Sequence, residues 1–102
     1  MKSVLILGSR GFIGQNLYSY LKKKDKKLKL FNDKKRVDLS VSKNWKIYPK
    51  TDFLVLLSAK SNFRVFDKDS TLGYVTNLNI TLNAIHYCLQ NNAKLIFISS
   101  AS

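Results

Sequence analysis

The chain has 102 residues, 45% of them hydrophobic and 12% aromatic, and its 18 Lys and Arg against 6 acidic residues give a formal charge of +12. That much apolar surface belongs to a folded chain rather than a disordered one, and the length allows one domain at most, which excludes a two-domain enzyme within these residues. A single Cys and a single His exclude a disulfide framework and a multi-ligand Cys/His metal site.

Val4-Leu5-Ile6-Leu7 is a continuous apolar run ending at Gly8, the pattern of a strand buried on both faces of a parallel sheet. It is too short for a secretory signal, which needs an apolar stretch of about 7–15 residues, or for a membrane helix of about 20. With the free Cys88, this reads as a cytoplasmic chain without a membrane partner. Phe12, Ile13, Leu17 and Leu21 then recur at helical spacing, which predicts a helix from near Gly11 to the Lys-rich turn around Asp25, with Phe12 and Ile13 in the core. Leu28, Leu30 and Phe31 predict a second strand, and Arg36 to Leu39 a brief third one.

Nine of the basic residues fall between Lys22 and Arg36. Nucleic-acid modules interleave Arg with stacking aromatics, whereas this run is mostly Lys with Phe31 alone. It therefore reads mainly as solvated surface, with a small basic nucleic-acid binder kept as a minor alternative.

Residues 40–51 form a short helical or irregular link holding Trp45 and Tyr48, and Pro49 stops helix before the next strand. Trp45 reads as core or lid. Phe53 to Leu57 is a second fully apolar strand, and Ser58 to Ser70 a polar loop. Leu72, Val75, Leu78, Leu82, Ile85 and Leu89 keep a three-to-four residue period, predicting an amphipathic helix over 71–91 with that stripe, Leu78 included, in the core. Asn91-Asn92 ends it, and Leu95 to Ile98 is the last strand. His86 and Cys88 on the long helix read as packing or surface residues. Strands alternating with helices predict an α/β fold, a doubly wound parallel sheet of order 3-2-1-4-5, truncated after strand 5. Ligands of such sheets bind at the carboxyl ends of the strands, so the residues after Leu7, Leu57 and Ile98 carry the chemical interest.

Gly8-Ser9-Arg10-Gly11-Phe12-Ile13-Gly14 joins the first strand to the first helix and holds three of the four glycines. Gly8 permits the tight turn, Gly11 lets backbone approach a pyrophosphate, and Gly14 lets the helix pack close to the sheet. The helix N-terminus offers unpaired N–H groups and the positive end of its dipole. An ordinary strand-to-helix turn is the bland alternative. The context favours a Rossmann-type dinucleotide site over it.

The segment G-S-R-G-F-I-G resembles the extended short-chain dehydrogenase/reductase family, the NAD(P)-dependent sugar epimerases and dehydratases. Val37-Asp38-Leu39 looks like the family's Asp-hydrophobic pair after strand 3, and Leu56-Leu57-Ser58-Ala59-Lys60 like the stretch after strand 4. Asn77-Leu78-Asn79-Ile80-Thr81-Leu82-Asn83 is similar to its N-x-x-G-T-x-N segment, with Ile80 where Gly is usual. Ile98 to Ser102 resembles the S-S-A-S/T end of strand 5. The R-G pair, the short link before strand 3 and the S-A-K stretch look most like the GDP-fucose synthase and dTDP-dehydrorhamnose reductase branches.

The resemblance implies a site. Phe12 and Ile13 give backbone contact to the pyrophosphate, and Arg10 pairs with a phosphate unless it is simply exposed. Asp38 binds the adenine with Leu39 beside it, or caps a helix over 40–47. Leu57, Ser58, Ala59 and Lys60 line the nicotinamide-ribose side, and Asn77 makes a cofactor-side contact; Lys60 and Asn77 as plain surface residues are the alternatives. Ser100 matches the catalytic Ser/Thr that hydrogen-bonds the substrate, against a plain strand terminus. Cofactor choice turns on the end of strand 2. A carboxylate there accepts from the ribose 2′-OH of NAD, whereas basic residues accommodate the 2′-phosphate of NADP. Asp33, 25 residues after Gly8, is followed by Lys34, Lys35 and Arg36, and the balance leans slightly to NADP. Asp33 as a turn residue stays open.

The family's Tyr-x-x-x-Lys pair, which follows the catalytic Ser, is absent; Tyr20 and Lys24 have the spacing but lie on the first helix. The expectation is an NAD(P)-binding portion spanning 1–102 of a longer nucleotide-sugar enzyme, homodimeric when full length and inactive as this piece alone. A non-catalytic NAD(P)-binding sensor is the alternative. No metal is expected.

Overall fold

The computed structural model describes residues 2–8, 12–33, 37–57 and 70–98. Strands β1 (Ser3–Leu7), β2 (Lys29–Asn32), β3 (Phe53–Leu56) and β4 (Lys94–Phe97) alternate with helix α1 (Phe12–Lys24), a 3₁₀ helix (Ser42–Ile47) and helix α2 (Ser70–Asn91). All three strand pairings are parallel, in the order β2-β1-β3-β4. Leu5 stands opposite both Phe31 and Leu54, and Leu54 opposite Leu95. This is a Rossmann-type arrangement.

The central strands β1 and β3 are continuous apolar runs because the sheet is covered on both sides there, whereas the edge strands β2 and β4 each begin with an exposed Lys. Leu5, Leu7, Leu54 and Leu56 point to one face, where they meet Leu39, Trp45 and Tyr48 from around the 3₁₀ helix and Ile80, Ala84, Tyr87 and Cys88 from α2. Val4, Ile6 and Val55 point to the other, against Leu17, Tyr18 and Leu21 of α1. Period-two alternation thus divides each run between two cores. Burial also pushes the Tyr87 hydroxyl and the Cys88 thiol above their ordinary pKa values.

The strand starts are tied by polar contacts. The Ser3 N–H and hydroxyl both donate to Asp52 Oδ2, at 2.9 and 3.2 Å. These bonds, the backbone N–H first, hold the Asp52 carboxyl below its usual range despite some desolvation. Buried Thr51 meets the Tyr87 hydroxyl at 2.7 Å, and that hydroxyl donates to the Pro49 carbonyl. Helix ends follow local chemistry too. Lys22, Lys23 and Lys24 complement the dipole at the end of α1, and Asp25 turns the chain by accepting from the Lys27 N–H. Asn92 adopts φ 54°, and the Ala93 N–H closes α2 on the Cys88 carbonyl.

Three expectations need correction. Of the strand predicted over Arg36–Leu39, Arg36 lies outside the described residues, and Val37–Leu39 run as coil into a turn. Asp38 and Leu39 spend their backbone acceptors elsewhere: the Val41 N–H donates to the Asp38 carbonyl, while the Trp45 indole N–H and the Asn83 amide both donate to the Leu39 carbonyl. Phe12 and Ile13 are not core, being 84% and 51% exposed. The packing stripe of α1 runs through Gly14, Leu17, Tyr18 and Leu21, and Phe12 and Ile13 point away from it. On α2 the buried stripe is Ile80, Ala84, Tyr87 and Cys88, while Val75, Leu78, Leu82, Ile85 and Leu89 are exposed. Both stripes keep helical spacing. The inner one carries Ala84, wholly buried, whose small side chain lets the helix approach the sheet.

Candidate functional site

The carboxyl edge of the sheet is where the predicted residues gather. β1 is followed directly by Gly8, whose φ of 90° lies in the left-handed region that glycine enters without a Cβ clash. β2 ends one residue before Asp33, and both Asp33 carboxylate oxygens accept from the Gly8 N–H, at 2.7 and 2.9 Å. Parallel pairing of β1 with β2 brings together these two residues, 25 apart in sequence. Asp33 thus fixes the point where the glycine-rich segment leaves the sheet. This role was not foreseen, although an acid at the end of the second strand was the available signal.

α1 starts at Phe12, has no acidic residue in its first turn, and presents the positive end of its dipole on this edge. Gly14 is buried where α1 crosses the sheet, as close packing requires. At the neighbouring strand end the Leu57 N–H donates to the Leu7 carbonyl at 2.8 Å, and the Ile98 N–H to the Leu56 carbonyl at 3.1 Å. Gly8, Asp33 and Leu57 therefore share one edge, with α1 on one face of the sheet and α2 on the other. β1 lies between β2 and β3, so consecutive connections depart in opposite directions at this point, the switch where such sheets bind ligands.

Asp38 uses one carboxylate oxygen locally: Oδ1 accepts from the Ser40 N–H at 3.0 Å and the Ser40 hydroxyl at 2.6 Å. It does not cap the 3₁₀ helix, whose N-cap is Val41 without a side-chain bond. Leu39 is buried in the core, and its carbonyl anchors Asn83 at 3.0 Å. Asn77 is half-buried one turn before Ile80, on the inner stripe of α2 continued towards the carboxyl edge. Asn83, the last residue of the N-L-N-I-T-L-N segment, joins α2 to the Asp38–Ser40 turn, a bond sequence reading had assigned to no residue. Trp45 is core, Cys88 is buried and His86 is exposed. Arg10, Gly11, Ser58, Ala59, Lys60 and Ser100 lie outside the described residues, as do Lys34, Lys35 and Arg36. Among the described residues no three His, Cys, Asp or Glu side chains lie close enough to hold a metal, and no helix is long and apolar enough to cross a membrane.

The geometry is that of an anion cradle: a left-handed glycine held by a carboxylate, and a helix N-terminus free of acids. The family model described as NAD dependent epimerase/dehydratase family matches residues 4–102. Among solved structures, the chain is similar to a GDP-L-fucose synthetase from Naegleria fowleri, at 22% identity and TM-score 0.77, covering 98% of this chain and 31% of that one. It is similar to the dTDP-4-dehydrorhamnose reductase of Yersinia enterocolitica at 21% identity and TM-score 0.82, covering 98% of this chain and 36% of that one. It is also similar to the GDP-mannoheptose C4 reductase of Campylobacter jejuni with NADP bound, at 24% identity and TM-score 0.77, covering 94% and 30%. The chain spans about a third of the length of these structures. No curated protein matches it.

Proposed function

Because this chain belongs to the NAD dependent epimerase/dehydratase family, we propose that it is the dinucleotide-binding portion of an enzyme acting on a nucleotide sugar. The observation that carries this reading is the Asp33–Gly8 pair, which holds the start of the glycine-rich segment at the switch point of the sheet. In this reading Gly8, Arg10, Gly11, Gly14 and the backbone of Phe12 and Ile13 hold the pyrophosphate. Asp38 and Leu39 face the adenine, and Asp33 lies towards its ribose. Leu57, Ser58, Ala59, Lys60 and Asn77 line the nicotinamide side, and Ser100 orients the sugar by a hydrogen bond. A nicotinamide dinucleotide held there supplies hydride transfer to or from a sugar carbon, the chemistry shared by sugar reductases, epimerases and dehydratases. Lys34, Lys35 and Arg36, next to Asp33 in sequence, favour NADP over NAD. Cys88, free and buried, fits a cytoplasmic setting.

Titration of the chain with NADP and NAD, followed by calorimetry, tests the proposal. Binding of either is expected, tighter for NADP, and Gly11→Val abolishes it because a branched Cβ blocks backbone approach to the pyrophosphate. A chain that binds neither dinucleotide, or a Gly11→Val variant that binds both unchanged, overturns it.

The same proposal extends to a homodimer. Val75, Leu78, Leu82, Ile85 and Leu89 form one exposed stripe on α2, spaced as the seam of a helix pair. In a chain of charge +12, the 22 residues of α2 contain no charged side chain, so this is a surface on which two copies approach without lysine facing lysine. Sedimentation is expected to give a dimer for the wild-type chain and a monomer for Leu78→Glu/Leu82→Glu. A wild-type chain that stays monomeric at high concentration counts against it.

A further inference from the structure

The half of α2 beyond Asn83 forms, with the 3₁₀ helix, a cavity of about 400 Å³ for which the dinucleotide reading has no use. The cavity lies away from the glycine-rich segment. α2 runs antiparallel to the strands, and Tyr87, which lines the cavity, donates to the Pro49 carbonyl and meets Thr51, both just before the start of β3. Three buried rings make its wall: Trp45 packs edge-on against Tyr48 at 5.9 Å between centroids and tilted against Tyr87 at 5.8 Å. Much of the polar lining is committed inward. The Trp45 indole N–H and the Asn83 amide donate to the Leu39 carbonyl, and the Asn91 amide to the Tyr87 carbonyl.

Among the described residues, Lys43, Lys46, His86 and Gln90, together with Ser42, line it without such a commitment. Lys43 and Lys46 stand three apart on the 3₁₀ helix, a spacing that eclipses them on one side. His86 and Gln90 stand four apart on α2, again on one side. The two pairs line the cavity from opposite elements, and no carboxylate is among the described residues that line it. Two exposed lysines lining one cavity, with no carboxylate among its described lining residues, favour an anion there. The adjacent ring edges and apolar stems favour a flat, apolar body on the same ligand. The volume is at the small end of the range for ligand pockets, about 300–1,000 Å³. It suits one ring with its anionic group and not a dinucleotide.

We propose that this cavity is a second ligand site, taking a small aromatic ring that bears a phosphate or a carboxylate. Lys43 and Lys46 take the anion, His86 and Gln90 donate further hydrogen bonds, and the ring lies against Trp45 and the two tyrosines. Trp45 is the chain's single Trp, so its emission reports on this wall alone.

The probes are phenyl phosphate, benzoate and inorganic phosphate, each titrated against the full chain at constant ionic strength. A saturable change in Trp45 emission is expected with phenyl phosphate or benzoate, the tighter of the two naming the anion, and at least tenfold weaker binding of inorganic phosphate. Lys43→Ala/Lys46→Ala is expected to weaken the aryl anion at least tenfold with an unchanged circular dichroism spectrum. Lys22→Ala/Lys23→Ala on α1 and Gly11→Val are expected to leave it as it was. The proposal fails if neither aryl anion gives a saturable change, if inorganic phosphate binds as well as they do, or if the α1 lysine pair matters as much as Lys43 and Lys46.

Discussion

Asp33→Ala is expected to weaken NADP and NAD alike by about tenfold to a hundredfold and to lower folding stability by about 1–2 kcal/mol. The stability loss follows from the Gly8 N–H, a part-buried donor that now gives its hydrogen to a carboxylate; charge-assisted bonds of this kind are among the stronger ones. The affinity loss follows from geometry. Gly8 itself adopts a left-handed φ of 90°, and without the carboxylate nothing of comparable strength among the described contacts holds it there. Asp33 acts here as a positioning residue, so the two dinucleotides fall together and their ratio stays constant. Asn at the same position keeps an acceptor for the Gly8 N–H and recovers part of the binding. Calorimetric titration with both dinucleotides and a urea midpoint read the result. A fall confined to NAD means instead that the carboxylate serves chiefly the ribose 2′-OH, and an unchanged midpoint removes its role in holding Gly8.

The elements that sequence reading found are those with a local cause. Val4–Leu7 and Phe53–Leu56 are apolar on both faces because a covered parallel sheet demands it, and the glycines mark the strand-to-helix turn. Asn92 marks the end of α2 because Asn tolerates the left-handed conformation. What escaped was decided by tertiary context. Both stripes of α2 have the right period, so periodicity could not say which faces the sheet; the structure buries the one that carries Ile80, Ala84, Tyr87 and Cys88. Residues 37–39 have strand-like composition, but Ser40 gives Asp38 a local hydrogen-bond partner, and Trp45 and Asn83 compete for the Leu39 carbonyl. At the candidate site the residue types were legible, and the Asp33–Gly8 bond was not, because it depends on the register of β2 against β1.

Gly14 carries the second large effect, because there helix propensity and packing predict opposite signs. In an exposed helix interior, Gly→Ala stabilises by roughly 0.5–1 kcal/mol. Gly14 is instead buried where α1 meets the sheet, and it begins the stripe that continues through Leu17, Tyr18 and Leu21 onto Val4, Ile6 and Val55. A methyl group added at a buried position has to displace what covers it, the overpacking cost. Gly14→Ala is therefore expected to destabilise the chain in spite of its propensity gain, and Gly14→Leu to cost about 1–3 kcal/mol or more through overpacking. The displacement is larger at the helix N-terminus than its energy implies. Gly14 is the third residue of α1, so the N–H groups that face an anion shift with it, and a misplacement of about 1 Å can cost on the order of a hundredfold in function. Dinucleotide affinity is thus expected to fall further with Gly14→Leu than folding stability does. Thermal unfolding of the Ala variant decides the matter: a higher midpoint than wild type means that α1 does not lean on the sheet at this residue, and the close approach that makes the cradle is lost with it.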